Sequence, residues 1–246
     1  MPRLFEELDY QQTRMGELIL RRRVMRGLDD LVVYEVILGD AFLMSSLFTV
    51  VEEALADLGL AALGDRENLE VVVGGLGLGY TARAALAHDR VGSLLVVDVL
   101  AEVIGWHRDE IVPLGAGLNA DPRCRYVHGD FFALAAEPET GFDLEQPGRQ
   151  FDAVLLDIDH TPSFILDPSH AAFYTEEGLT TFARHLKPGG IFAMWADGAP
   201  NDEFTDKLAE AFDRPQAHLV EFPNPLLDKN SCGTVYVARK RPGRDG

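Results

Sequence analysis

Basic residues are scarce in this chain: 22 lysines and arginines stand against 40 aspartates and glutamates, a formal net charge of −18 at pH 7. Such a surface repels nucleic-acid phosphates and excludes nucleic acid as the main partner. It is compatible with a small cationic substrate, but acidic surface also serves solubility, so charge alone does not select a polyamine. Cysteine is nearly absent. Cys124 and Cys232 are too few and too separated for a disulfide framework or a CxxC metal site, and they read as buried small residues. No run of eighteen apolar residues occurs, which excludes a membrane-spanning helix. The opening Met-Pro-Arg-Leu-Phe-Glu-Glu lacks a signal-peptide pattern, so the expectation is a cytoplasmic protein without membrane contact.

What the chain does have is a glycine turn. Glu70-Val-Val-Val-Gly-Gly runs into Gly75-x-Gly77-x-Gly79, and a helix-like segment, Ala82 to Ala87, follows. A buried strand, a glycine turn and a helix start make a cradle for a nucleotide-like ligand, because glycines permit positive φ and close approach. The spacing is not the dinucleotide G-x-G-x-x-G, since Tyr80 stands in the place of its last glycine. Nineteen residues after Gly79, Ser93-Leu-Leu-Val-Val-Asp98 reads as a second strand ending in an acid, placed to hold ribose hydroxyls. Cys124 to Asp130 ends in Gly-Asp, and Phe151-Asp-Ala-Val-Leu-Leu-Asp157 ends in a further acid. Each aspartate alone would be a cap or turn residue. Four strand tips carrying Gly, Asp, Asp and Asp in sequence define the carboxyl edge of a parallel sheet, where ligands bind.

The wider pattern is α/β. Strands are predicted at 70–74, 94–98, 125–128, 152–157 and 190–196, with helices over 80–88, 101–111, 171–186 and 202–212. Residues 217–222 and 233–239 read as a closing antiparallel pair. Before residue 69, Gly16 to Arg21 and Leu31 to Leu38 suggest a short β-hairpin with a turn at Gly27 to Asp30, and Arg21 to Arg26 reads as a solvated strand end. Met44 to Leu58 has helical spacing, with Ser45 or Ser46 as N-cap. Two units are expected: 1–68, a hairpin and helix, and 69–246, the ligand-binding unit. Pro138 to Gln150 is a polar insertion, and Asp159 to His170 a long loop that could serve as a lid. His107, His128 and His185 suit packing or surface roles, and Trp106 and Trp195 suit core or pocket walls.

These residues resemble the polyamine aminopropyltransferases (spermidine synthases), built on the class I S-adenosylmethionine-dependent methyltransferase fold. The resemblance rests on Val71–Leu86, Leu95–Ile104, Asp121-Pro-Arg123, Gly129-Asp130, Phe151–Asp157, Phe173-Tyr-Thr175 and Leu186-Lys-Pro-Gly-Gly190. It is also carried by Val73, where ordinary methyltransferases have an acid. The fold implied is Rossmann-like, a mostly parallel seven-stranded sheet with helices on both faces and a short N-terminal β-hairpin. The resemblance assigns Gly75, Gly77 and Gly79 to the ligand's methionine-derived portion, Asp98 to ribose and Asp130 to adenine. Asp157 corresponds to the first aspartate of the family's Asp-x-x-Asp loop, a carboxylate that takes a proton from the attacking amine. The co-substrate implied is decarboxylated S-adenosylmethionine, the acceptor a small cationic amine or other small molecule, and the assembly a homodimer.

Three positions depart from the family pattern. Leu78 stands where an aspartate holds the aminopropyl amine, His160 replaces the second aspartate of the loop beside Asp159, and no Tyr-His-Glu segment is recognisable around Phe42 to Ser46. Asp159 and His160 are therefore the candidate acceptor-binding residues. Leu78 also keeps open a methyltransferase using S-adenosylmethionine itself, and a non-catalytic adenosyl-ligand-binding protein is the third reading. Asp157, Asp159 and His160 could be read as metal ligands; a loop histidine beside Pro162 is better read as solvated, and no metal is expected.

Overall fold

The computed structural model describes residues 4–241. Seven strands form the large sheet: β5 (Leu69–Gly74), β6 (Val91–Asp98), β7 (Cys124–His128), β8 (Phe151–Leu156), β9 (Leu186–Asp197), β10 (Phe212–Asn224) and β11 (Lys229–Lys240). Their order is β10-β11-β9-β8-β5-β6-β7. The pairs β5–β6, β5–β8, β6–β7 and β8–β9 are parallel, and β11 runs antiparallel to both β9 and β10. Strand order reverses between β5 and β8, so the helices that follow these two strands pack on opposite faces of the sheet and leave a crevice at its carboxyl edge. The strands there are apolar on both faces because helices cover both: all six residues of β8 are buried.

One face of the sheet packs on aliphatic helices. Leu55 and Leu60 of α1 (Val50–Ala61) and Ala82 and Ala85 of α2 (Tyr80–Leu86) share a core with Val71, Val73, Leu155 and Ala193. The other face is aromatic, with Phe131, Phe142, Phe173, Phe182, Phe192 and Phe212 in one cluster. Rings supply large buried areas and edge-to-face contacts, as between Phe182 and Phe192 at 4.8 Å.

The N-terminal region is larger than the expected hairpin. It is a four-stranded antiparallel sheet, β1 (Phe5–Thr13), β2 (Gly16–Met25), β3 (Leu31–Leu38) and β4 (Ala41–Ser45). The predicted helix start at Met44 is instead strand, because Phe42 and Met44 pair with Ile37 and Val36. Ser45 and Ser46 do not cap: their hydroxyls accept the N–H groups of Leu47 and Tyr34. Helix α1 begins after Thr49 and packs on the large sheet. The arginine cluster is not simply solvated either. Arg21 and Arg23 each lie 2.7 Å from the carboxylate of Glu35, which is buried in β3 directly across from Arg21.

Several helices are shorter than their sequence pattern. Helix α3 (Ala101–Arg108) stops before Glu110, which takes a positive φ, and a separate α4 (Gly115–Ala120) follows. Thr175 accepts the N–H of Gly178 and starts α6 (Glu176–Phe182), splitting the predicted 171–186 helix. Helices α5 (Phe131–Ala135) and α7 (Asp202–Ala211) complete the set. Among the described residues, no helix is long and apolar enough to cross a membrane.

Candidate active site

The crevice holds a cavity of about 280 Å³ at the tips of β5, β6, β7 and β8. Gly75, Leu76 and Gly77 line it with Asp98, Asp130 and Asp157, and the small sheet covers it with Arg14, Met15, Val36, Leu38, Leu43 and Met44. The glycine loop follows β5 with φ values of 93° at Gly75 and 48° at Gly77. A Cβ on Gly75 would lie 2.1 Å from the Asp157 carbonyl oxygen, so only glycine lets the two strand tips meet this closely.

The loop's own N–H groups are largely engaged within the protein. Gly75 donates to Val97 O, Leu76 to the Asp98 carboxylate at 2.9 Å, Leu78 to the Met44 sulfur and Gly79 to Leu76 O. These amides are thus mostly committed to holding the loop's shape. His107, fully buried, adds a bond from Nε2 to Gly77 O, and burial lowers its pKa, keeping the ring neutral. Gly79 caps α2 away from the cavity, against His107 and Leu118. Leu78 is fully buried in the aliphatic core and is not a cavity wall.

Each acid at the edge has its own setting. Asp98 accepts from Leu76 N and Leu100 N; burial raises its pKa, opposed by these backbone donors. Asp130 uses Oδ1 to cap α5, accepting from Phe132 N and Ala133 N, and its Oδ2 meets no donor among the described residues. Asp157 accepts a 2.6 Å bond from the Thr81 hydroxyl. Burial raises Asp157 to about 6, and the Thr81 bond opposes that rise.

The residue that sequence reasoning missed is Glu52. It lies on the buried stripe of α1 with Val51, Leu55 and Ala56 and lines the cavity. Burial, and then the neighbouring charge of Asp157, push its carboxyl group up to about 8. The signal was available: an acid among apolar residues at helical spacing is misplaced unless it serves a site. Both carboxyl groups are thus raised by burial, so the pair tends to keep a proton at a pH where ordinary carboxyls have lost theirs.

Glu52, Leu43, Met44, His160 and Trp195 also line a second cavity of about 300 Å³. Its outer walls include Phe42, Phe48, Phe222 and Asp197, and Phe48 and Phe222 pack ring to ring at 5.7 Å. His160 is brought to both cavities, stacked on Phe164. Asp159 is not brought there. Its carboxylate is 3% exposed and accepts from Leu166 N, His170 Nδ1 and the Tyr174 hydroxyl, all donors of its own loop and the segment after it. Among the described residues, no group of three or more histidine, cysteine or acidic side chains is gathered as a metal centre. Cys124 and Cys232 are free and half-buried rather than fully buried. Trp106 is core, with Nε1 donating to Asp9 at 2.6 Å.

Comparison with known proteins agrees with this geometry. The model of the spermine/spermidine synthase domain matches residues 48–210. The polyamine aminopropyltransferase 2 of Pseudomonas aeruginosa is 27% identical over 173 residues, 68% of this chain and 46% of the relative. A polyamine aminopropyltransferase of Aeropyrum pernix is 29% identical over 132 residues, 52% of this chain and 37% of the relative. The match therefore spans less than half the length of either curated relative. Among solved structures, spermidine synthase from Thermotoga maritima superposes with a TM-score of 0.70 at 18% identity, covering 95% of this chain and 72% of that one. A spermidine synthase in complex with the transition-state analogue AdoDATO gives 0.71 at 18% identity, covering 95% and 73%. These structural likenesses establish the fold.

Proposed function

Because this chain belongs to the spermine/spermidine synthase domain family, we propose that it is a transferase that moves an aminopropyl group from decarboxylated S-adenosylmethionine to an amine. The observation that carries the reading is the Glu52–Asp157 pair, two carboxyl groups pushed up by burial in one cavity, of which Glu52 also lines the second. The donor would lie in the first cavity, with its nucleoside toward Asp98 and Asp130 and its sulfonium toward the Gly75–Gly77 loop. The acceptor would enter through the second cavity, past His160 and Trp195.

The chemistry asks little more of the protein. The amine nitrogen attacks the propyl carbon bonded to sulfur, the carbon–sulfur bond breaks, and its electron pair goes to sulfur, giving the neutral thioether 5′-methylthioadenosine. The new ammonium then gives a proton to ionised Asp157. The leaving thioether needs no acid, so one base and alignment of the two reactants suffice. Protonated Glu52 can donate to Asp157 or the acceptor without adding a second buried charge; when the acceptor arrives as a cation, its charge favours ionisation of both acids.

A second reading has its own observations. Leu78 puts no carboxylate in the cavity for the donor's terminal amine, and Arg14 is the lysine or arginine among the cavity's lining residues. Both favour a donor that keeps its carboxylate, S-adenosylmethionine, and hence methyl transfer. Calorimetry with the two donors decides between them, followed by mass spectrometry of products formed from a panel of mono-, di- and polyamines. A mass gain of one aminopropyl group supports the first reading, and a methyl gain replaces it with the second.

A further inference from the structure

His170 belongs to no step above, yet it lines the same cavity as Asp130, which caps the helix that carries Phe132. Its ring is 6% exposed, lines the cavity and lies flat on Phe132, with centroids 3.8 Å apart. Nδ1 is 2.9 and 3.1 Å from the two oxygens of Asp159. That carboxylate also accepts from the Tyr174 hydroxyl at 2.8 Å and Leu166 N at 2.7 Å. A carboxylate that already takes hydrogens from Tyr174 and Leu166 takes one from Nδ1 too, and in the tautomer with its hydrogen on Nδ1 the Nε2 atom is an acceptor. Nε2 meets no donor among the described residues and is not sealed from the cavity the ring lines. An acceptor so placed stays unsatisfied unless water or a ligand supplies the hydrogen.

Asp130 presents a second acceptor in the same cavity. Its Oδ1 is engaged in capping α5, and Oδ2 meets no donor among the described residues. Phe132, two residues on, is the ring on which His170 lies, which ties the two acceptors to one corner of the cavity. Two acceptors without a donor between them suit a group carrying two hydrogens. A 6-aminopurine offers that group in its exocyclic amine, whereas a 6-oxopurine would turn an oxygen lone pair toward them.

We propose that His170 Nε2 accepts a hydrogen bond from the 6-amino group of the bound purine, and that Asp159 is a positioning residue that sets the histidine tautomer. This rests on the adenosyl reading of the cavity. The lid segment thereby reads the base rather than merely covering it, and the Asp159 that sequence reasoning assigned to the acceptor serves the base instead.

The test is calorimetric binding of 5′-methylthioadenosine and its 6-oxo counterpart, 5′-methylthioinosine, to the wild-type protein and to His170→Ala and Asp159→Asn. Wild type should prefer the amino nucleoside by about thirtyfold or more, since sites built to accept a donor reject analogues lacking it. His170→Ala should cut that ratio about tenfold while changing 5′-methylthioinosine affinity little. Asp159→Asn, which lets the ring take the other tautomer, should also lower it. An unchanged ratio in folded His170→Ala overturns the proposal. Nitrogen-15 spectra of the wild-type histidines serve where a variant does not fold: a hydrogen on Nδ1 of His170, with an Nε2 shift on adding 5′-methylthioadenosine, supports it, and a hydrogen on Nε2 overturns it. Failure of wild type to bind either nucleoside overturns the adenosyl reading itself, and the proposal with it.

Discussion

At the proposed reaction centre the two acids differ in what touches them. Asp157 and Glu52 are both withdrawn from water, which raises both; the Thr81 hydroxyl donates to Asp157 and opposes its rise, while the charge of Asp157 adds to that of Glu52. Asp157→Asn keeps size and hydrogen bonding while removing the base, so single-turnover rates should fall by roughly two to four orders of magnitude with donor affinity little changed. Near-wild-type turnover in that variant would make Asp157 a structural residue. Thr81→Val removes the stabilising donor, so the acidic limb of the kcat/KM profile, expected near pH 6 in the wild type, should move upward. A limb that stays in place would show that another group sets it.

At the scale of elements, the glycine loop is shaped by what presses on it. Gly75 abuts the backbone of Asp157, which cannot yield, whereas a Cβ on Gly77 would meet the Met44 sulfur, the movable part of a flexible side chain. Both positions have positive φ. Gly75→Ala should therefore destabilise the fold by about 2–4 kcal/mol and abolish nucleoside binding, and Gly77→Ala should do less of both. Denaturant unfolding and calorimetry of the two variants check the ranking; equal effects would mean that strain in φ, not contact, dominates. The same contact explains why the small sheet matters to the site: Met44 lies in its last strand and takes the Leu78 N–H.

Over the whole molecule, the two sheets are not independent bodies. Leu18, Leu20, Val36 and Leu38 of the small sheet share one core with Leu76, Val103 and Trp106, and Trp106 is tied to Asp9. A buried acid on α1 then affects global stability. The folded value of Glu52, about 8, lies above its ordinary 4.5, so the native state binds the extra proton. Its stabilising contribution is complete below about pH 4.5 and is lost as pH rises through about 8. Glu52→Gln is neutral throughout. Its melting temperature should match that of the wild type near pH 4.5 and exceed it by roughly 2–5 °C at pH 9. A constant offset at both pH values would show that the carboxyl group is not held protonated by the fold.

Periodicity and punctuation in the chain were enough to determine the parallel sheet, its edge and three of its acids, because buried parallel strands are continuous apolar runs and their tips are where polar residues resume. Gly75, Gly77, Asp98, Asp130 and Asp157 accordingly meet around one cavity. What depends on side chains far apart in sequence was decided only by the folded chain. Glu52 reaches Asp157 across 105 positions, and nothing local to either announces the pair. Of the four-stranded sheet, β2 and β3 were legible; β1 is mostly polar and carries little apolar signal, and the apolar β4 runs on into helical spacing. Asp159 and His160 are adjacent in sequence, yet His160 lines the cavity while Asp159 is bonded to Leu166, His170 and Tyr174, since successive side chains on an extended loop diverge and only packing selects which one meets the cavity.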